Sequence, residues 1–306
     1  MVETQILQRP RRLLVAGVLC AGVSAISAAA IFIRFADAPG VSTAFWRTVI
    51  ATVLMGGITA FGAFRAGQWI RIKRRDALVC VAAGLCLGLH FWSWMTSLEY
   101  TTVASSVLFV TMNPIFVGLL SPWVTGDRMT RRLWGGILLA VVGALIVGYD
   151  DLLTGPSTSL VGNGLALIGA ACMSVYLVLG RLARENVALD AYATVTNASA
   201  ACLLLPAAMW VGAPLFSFSL STWGWFVAIA LIPQLIGHNS LVWSLRHVSA
   251  PVVAVVILAE PIGSGALAWL VLDERPGAVK MAGAAVLLCG IFMANLHSAR
   301  SATRRP

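Results

Sequence analysis

Along the chain, polar residues gather in short clusters, and the stretches between them are apolar on all sides rather than on one face. Ten such stretches run at approximately 13–33, 41–64, 77–98, 103–124, 133–149, 161–180, 189–211, 223–245, 249–272 and 277–297. A helix of about 20 apolar residues spans the hydrocarbon core of a bilayer, and one without a polar face belongs in lipid or in a core. The pattern predicts an all-α membrane protein of ten transmembrane helices. The longest connections, Arg65–Asp76 and Asp150–Leu160, have about a dozen residues each. They are too short for a soluble catalytic domain, so the chemistry is expected within the membrane.

Sliding the chain along itself uncovers a repeat at an offset of 147 residues. It superposes Gly17 on Gly164, Gly22 on Gly169, Ser27 on Ser174, Arg34 on Arg181 and Phe45 on Tyr192. Further along, it superposes Ser97-Leu98 on Ser244-Leu245, Asn113-Pro114 on Glu260-Pro261, Asp127-Arg128 on Glu274-Arg275, Gly136 on Gly283 and Gly143 on Gly290. Two five-helix halves result, 13–149 and 161–297, joined by a linker at 150–160. An odd number of helices makes the second half enter the membrane from the opposite side, so the halves are expected to be inverted repeats around a central cavity. Such halves can exchange conformations and open a central site to alternate sides, which favours a carrier.

Charge orients this arrangement. Cytoplasmic loops are enriched in Lys and Arg, and with the N-terminus inside the inner loops and tails hold Arg9, Arg11, Arg12, Arg65, Arg71, Lys73, Arg74, Arg75, Arg128, Arg131, Arg132, Arg181, Arg184, Arg246, Arg300, Arg304 and Arg305. Only Arg34, Arg275 and Lys280 fall outside, and Arg47 lies within a span. Both tails, 1–12 and 298–306, are thus expected in the cytoplasm and the 150–160 linker in the periplasm of a bacterium, with the protein in the inner membrane. Arg9–Arg12 followed by Leu13–Ile33 has the look of a signal peptide, but the apolar run of about 21 residues exceeds the usual 7–15 and reads as the first spanning helix. The formal charge of +9 is accounted for by these loop clusters, so no nucleic-acid partner is expected. Six cysteines inside apolar stretches, without metal-ligand spacing, predict neither disulfides nor a metal site. No phosphate-binding GxxxxGK[ST] loop occurs, and no cofactor is expected. With 59% hydrophobic and 11% charged residues, the chain stands far from the roughly 25% charged composition of soluble domains.

Ionisable and amide groups at bilayer depth are expensive and usually line a cavity or pair with one another. Glu260 lies midway along its segment, and Pro261 removes a backbone donor beside it, as Pro114 does beside Asn113. The two prolines predict helix breaks at equivalent depths, where a carrier places its site. Glu260 would contact substrate or a proton, or else satisfy freed backbone groups or pair with Arg47. Arg47, about two turns into its helix, would bind a carboxylate, snorkel, or form a static ion pair. His90 and His238, in counterpart helices but one residue out of register, would carry a proton or hydrogen-bond a substrate, or simply pack. Trp94 and Tyr176 are candidates for an aromatic wall, and Gln234 and Asn239 flank His238 as further candidate binding residues.

The two five-helix halves, Phe45-Trp46-Arg47, Asn113-Pro114, and Glu260-Pro261 followed by Trp269-Leu270-Val271-Leu272-Asp273-Glu274 together resemble the EamA-type members of the drug/metabolite transporter superfamily, over essentially residues 13–297. The resemblance implies a basket-shaped ten-helix carrier with a central cavity, commonly an exporter of amino acids or other small metabolites. One departure is Asn113, which stands where a Glu-Pro pair would mirror the second half, so only one half offers a membrane carboxylate for proton coupling. No acidic residue occurs in the first or sixth predicted helix, where small multidrug exporters of that superfamily carry theirs. The partners expected are a small-molecule substrate and the bilayer, and a complete repeat in one chain predicts a monomer. Two other classes remain: an intramembrane enzyme using Ser264 with His90 or His238, and a channel or receptor.

Overall fold

A computed structural model describes residues 2–67, 72–124, 130–154, 157–275 and 277–301. Among these residues the chain is helical, with no strand. In order, the helices are α1 (Val2–Ser27), α2 (Ala29–Ala36), α3 (Gly40–Ala66), α4 (Arg74–Ser97), α5 (Val103–Val110), α6 (Asn113–Val124), α7 (Arg131–Thr154), α8 (Ser159–Ala183), α9 (Leu189–Trp210), α10 (Leu220–Ile229), a π-helical segment (Ala230–His238), α11 (Asn239–Ser244), α12 (Ala250–Ile257), α13 (Glu260–Leu272) and α14 (Ala278–Ser301). Counted across their interruptions, eight stretches among the described residues are long and apolar enough to cross a membrane. They correspond to all the predicted spans except those at 133–149 and 277–297. In the former, α7 carries a shorter apolar stretch, Trp134–Ile146. The periphery is rich in exposed apolar side chains, including Phe64, Trp123, Trp210 and Leu220, a surface suited to lipid rather than to water.

Four spans are interrupted at mid-depth. α5 gives way to α6 just before Asn113-Pro114, and α12 to α13 just before Glu260-Pro261. Each proline then occupies the first turn of the following helix, where its missing N–H has no partner to lose. The break between α1 and α2 has another cause: the Ser27 hydroxyl turns back onto Val23 O at 2.9 Å, a bond that bends helices. The π-helical segment contains Pro233, whose lost donor loosens the ordinary ladder there.

Packing between the halves follows the repeat. α7 lies along α14, α3 along α9, and α4 along α8, while α1 meets the π-helical segment and α11. Gly143 sits against the backbone of Leu287 and Gly283, and Gly290 against that of Ala140 and Gly136. A methyl group would collide at either place, so glycine sets how closely α7 and α14 approach. The deepest cross-links are a matched pair. The Ser174 hydroxyl of α8 donates to Asn113 O at 2.9 Å, and the Ser27 hydroxyl of α1 reaches Glu260 O at 3.4 Å. Every residue of the second bond is 147 positions from its partner in the first. At the helix ends, Arg34 donates to Thr101 O at 2.8 Å and Arg181 to Leu245 O at 2.5 Å, likewise 147 positions apart on the donor side.

Candidate functional site

Where the α5–α6 and α12–α13 breaks face each other, a small internal cavity opens. Its lining includes Asn113 and Glu260 from the breaks, His90 and Trp94 from α4, Met173 from α8 and His238 from the π-helical segment. Only about 20 Å³ of it admits the centre of a water molecule, room for one or two waters. A metabolite would need the surrounding helices to part.

His90 is held firmly. Its Nδ1 donates to Gly169 O at 2.9 Å, which leaves Nε2 as the acceptor of the neutral ring, and the imidazole stacks against Trp94 with ring centres 5.9 Å apart. The two imidazoles face each other at 6.1 Å, and Phe91 meets His238 edge-on at 5.2 Å. A one-residue offset in the repeat between α4 and the π-helical segment thus still brings both histidines to one wall. The cavity side has unmet demand: Trp94 Nε1, Asn113 Oδ1 and His238 Nδ1 are buried without a hydrogen-bond partner. Buried polar atoms of that kind cost about 1–3 kcal/mol each unless water or a ligand satisfies them.

Arg47 lies one layer behind. It is fully buried, its guanidinium covers the Phe91 ring at 3.9 Å, and its Nε donates to Gln234 Oε1 at 2.8 Å. Gln234 in turn donates to Asn197 Oδ1 at 3.0 Å, and Asn197 to Ala193 O at 2.8 Å. The π-helical segment makes this relay possible, since it turns Gln234 towards α3 and α9 while aiming His238 at the cavity. Both Nη nitrogens of Arg47 lack partners. Glu260 stands within its electrostatic reach but does not form an ion pair with it.

The structure therefore brings together His90, Trp94, Asn113, His238 and Glu260, and joins Arg47 to Gln234 beside them. Tyr176 is buried near Tyr192, ring centres 6.1 Å apart, and does not line the cavity. Asn239 turns away, donating to Met55 Sδ at 3.5 Å. The Ser264 hydroxyl donates to Glu260 O, one turn back, at 3.0 Å, rather than to a histidine. Sequence reasoning passed over Phe91 and Asn197. Asn197 carried a usable signal, a carboxamide in the middle of an apolar stretch, whereas Phe91 is one aromatic among many and only its contact with Arg47 singles it out.

The model of the EamA-like transporter family matches this chain twice, over residues 13–149 and 160–296. The chain belongs to that family. The pseudopaline exporter CntI of Pseudomonas aeruginosa strain PAO1 is 24% identical over 253 residues, covering 83% of this chain and 85% of the relative. The uncharacterized transporter YyaM of Bacillus subtilis is 23% identical over 260 residues, covering 83% and 84%. A solved structure described only as a crystal structure of protein superposes with a TM-score of 0.73 at 18% identity, over 93% of this chain and 98% of that one, and so shares its fold. These relatives are named as an exporter and a transporter, and this chain is a multi-span helical membrane protein of a transporter family.

Proposed function

We propose that this EamA-family protein is a secondary carrier that exports a small metabolite, of the amino-acid type, across the bacterial inner membrane by alternating access of two inverted five-helix halves. In this reading α7 and α14 complete ten spans, the halves are 13–149 and 161–297, and both tails lie in the cytoplasm. The observation that carries the reading is the cavity itself: a polar pocket at bilayer depth, between two matched helix breaks, with three unpartnered polar atoms on its wall. The paired Ser27–Glu260 and Ser174–Asn113 bonds support the inverted relation, because a rotation that exchanges the halves exchanges these contacts. The name of the pseudopaline exporter supports the outward direction.

Within the site, Arg47 receives the substrate carboxylate once the halves part, held in place by Gln234. Glu260 faces the ammonium group or carries the exchanged proton. His90, His238, Trp94 and Asn113 line the path. A zwitterion satisfies Arg47 and Glu260 together, which an organic cation would not.

Purified protein in liposomes, supplied with a mixed panel of amino acids and organic cations with and without a pH gradient, tests this. Saturable, protein-dependent flux of a zwitterion is the expected result. Non-saturating flux would point to a channel, and absence of flux for every solute would overturn the assignment.

A further inference from the structure

A second polar recess lies apart from the central cavity, where the first apolar span begins at Leu13 within α1 and where α8 and α11 finish. Its walls are Leu14 of α1, Arg184 at the end of α8, Trp243 of α11, and Arg246 and His247 just beyond it, around a half-open space of about 440 Å³. This is many times roomier than the central cavity, enough for a small ligand.

Arg184 is the decisive residue. It is 97% buried, since only 3% of its surface is exposed, and its Nη1 donates to Val187 O. Its Nε is buried without a hydrogen-bond partner, and the residue lines the recess. Across from it stands the exposed Arg246, whose like charge, after burial itself, pushes Arg184 below its ordinary value despite the opposing influence of Tyr192 and the half-buried Asp190. Among the described residues no carboxylate lies within ion-pair distance of either guanidinium. Two converging positive charges, one of them desolvated and short of an acceptor, form a stable arrangement when an anion sits between them. The remaining wall narrows the class of anion. The Trp243 and His247 rings pack at 4.3 Å, and Leu14 presents an apolar edge, so the ligand has a planar-faced or apolar part next to its charge. Helix ends carrying Trp and Arg lie at headgroup depth in a bilayer.

We propose that this recess is a binding site for a phosphate ester, with Arg184 and Arg246 clamping the phosphate and Trp243 and Leu14 covering the adjoining apolar portion. Because Arg181 already fastens the end of α8 to Leu245, a phosphate held by Arg184 and Arg246 adds a second clamp between the same helix ends. The site lies outside the transport pathway proposed above and does not depend on it.

The phosphate comes either from an anionic lipid headgroup or from a soluble ester, and one experiment separates the two. Protein purified in detergent is studied by native mass spectrometry with added phosphatidylglycerol or phosphatidylcholine, and its melting temperature is followed in parallel with glycerol 3-phosphate. If the headgroup is the source, one phosphatidylglycerol adduct is expected to outlast the others on collisional activation, with glycerol 3-phosphate leaving the melting temperature unmoved. The Arg184→Gln/Arg246→Gln variant should hold that adduct about tenfold less well or worse. If a soluble ester is the source, glycerol 3-phosphate stabilises the wild type and not the variant. Should loss of buried Arg184 disturb folding, Arg246→Gln alone, at an exposed position, is expected to weaken the adduct severalfold with an unchanged melting temperature in phosphatidylcholine. Equal retention of both lipids and no response to the ester, in wild type and Arg246→Gln alike, would overturn the site.

Discussion

The crossing of α8 with the α5–α6 break and the crossing of α1 with the α12–α13 break are counterparts in the repeat, yet they are built differently. At the first, α8 runs unbroken and Ser174 reaches Asn113 O at 2.9 Å. At the second, the chain bends at Ser27, and its hydroxyl stands 3.4 Å from Glu260 O. The neighbouring contacts differ as well. His90 interposes its ring between α4 and α8 by bonding Gly169 O, whereas the residue 147 positions on is Gly237, which lets α1 and the π-helical segment meet backbone to backbone: a methyl group there would come 2.5 Å from Ile26 Cγ2 and 3.4 Å from Gly22 O. One crossing is thus straight and spaced by a side chain, and the other is bent and closely packed. Two halves with related sequences held in unlike conformations fit the carrier proposed above, in which one transport step would exchange those two conformations.

The largest expected effect comes from abolishing the charge at the bent crossing. Glu260→Gln keeps the backbone carbonyl that Ser27 approaches and removes only the carboxylate. Transport in liposomes should fall about thirtyfold or more, the size of a lost charged contact of about 2 kcal/mol or more, with melting temperature nearly unchanged. Normal flux would return Glu260 to a packing role. Arg47→Gln should give a similar loss for substrates bearing a carboxylate and a smaller one for their amides, measured by competition.

Next in size is a steric test of the comparison. Gly22 and Gly169 are counterparts, but an added methyl group would meet Ser240 Cβ at 2.8 Å in the first case and Ser93 Oγ at 3.2 Å in the second. Gly22→Ala is expected to destabilise by about 1–3 kcal/mol through overpacking, and Gly169→Ala by less, judged by unfolding in mixed micelles. Equal costs would mean that the two crossings interconvert so readily that neither packing dominates.

The smallest effect concerns the hydroxyls. Ser174→Ala and Ser27→Ala each remove a bond within the helix, to Ala170 O and Val23 O, so their difference reports the interhelical bond. Ser174→Ala should cost roughly 0.6 kcal/mol more, and a reversed order would indicate that the bent crossing is the tighter one in the bilayer.

The helices themselves were legible because hydrophobicity is a property of each residue and adds up along a segment without help from the rest of the chain. Pro114, Pro261, Glu260 and Arg47 stood out for the same reason: a missing donor or a charge at bilayer depth has a cost wherever it is placed. The family, too, could be named from short motifs in order. The break at Ala28 and the π-helical segment were not legible, since the chain reads as two ordinary apolar stretches there, and Pro206 lies within a continuous α9 while Pro233 lies in the π-helical segment.

Sequence alone determined which stretches are apolar enough to lie in lipid, the 147-residue repeat, and which few polar side chains within those stretches must find partners. Only tertiary structure decided which partners those are: His90 with Gly169, Arg47 with Gln234 and Phe91, Asn239 with Met55 and not with the cavity. The physical reason is range. Burial in lipid is decided residue by residue, whereas a buried hydrogen bond needs two groups within about 3 Å, and for Arg47 and Gln234 those groups lie 187 positions apart in the chain.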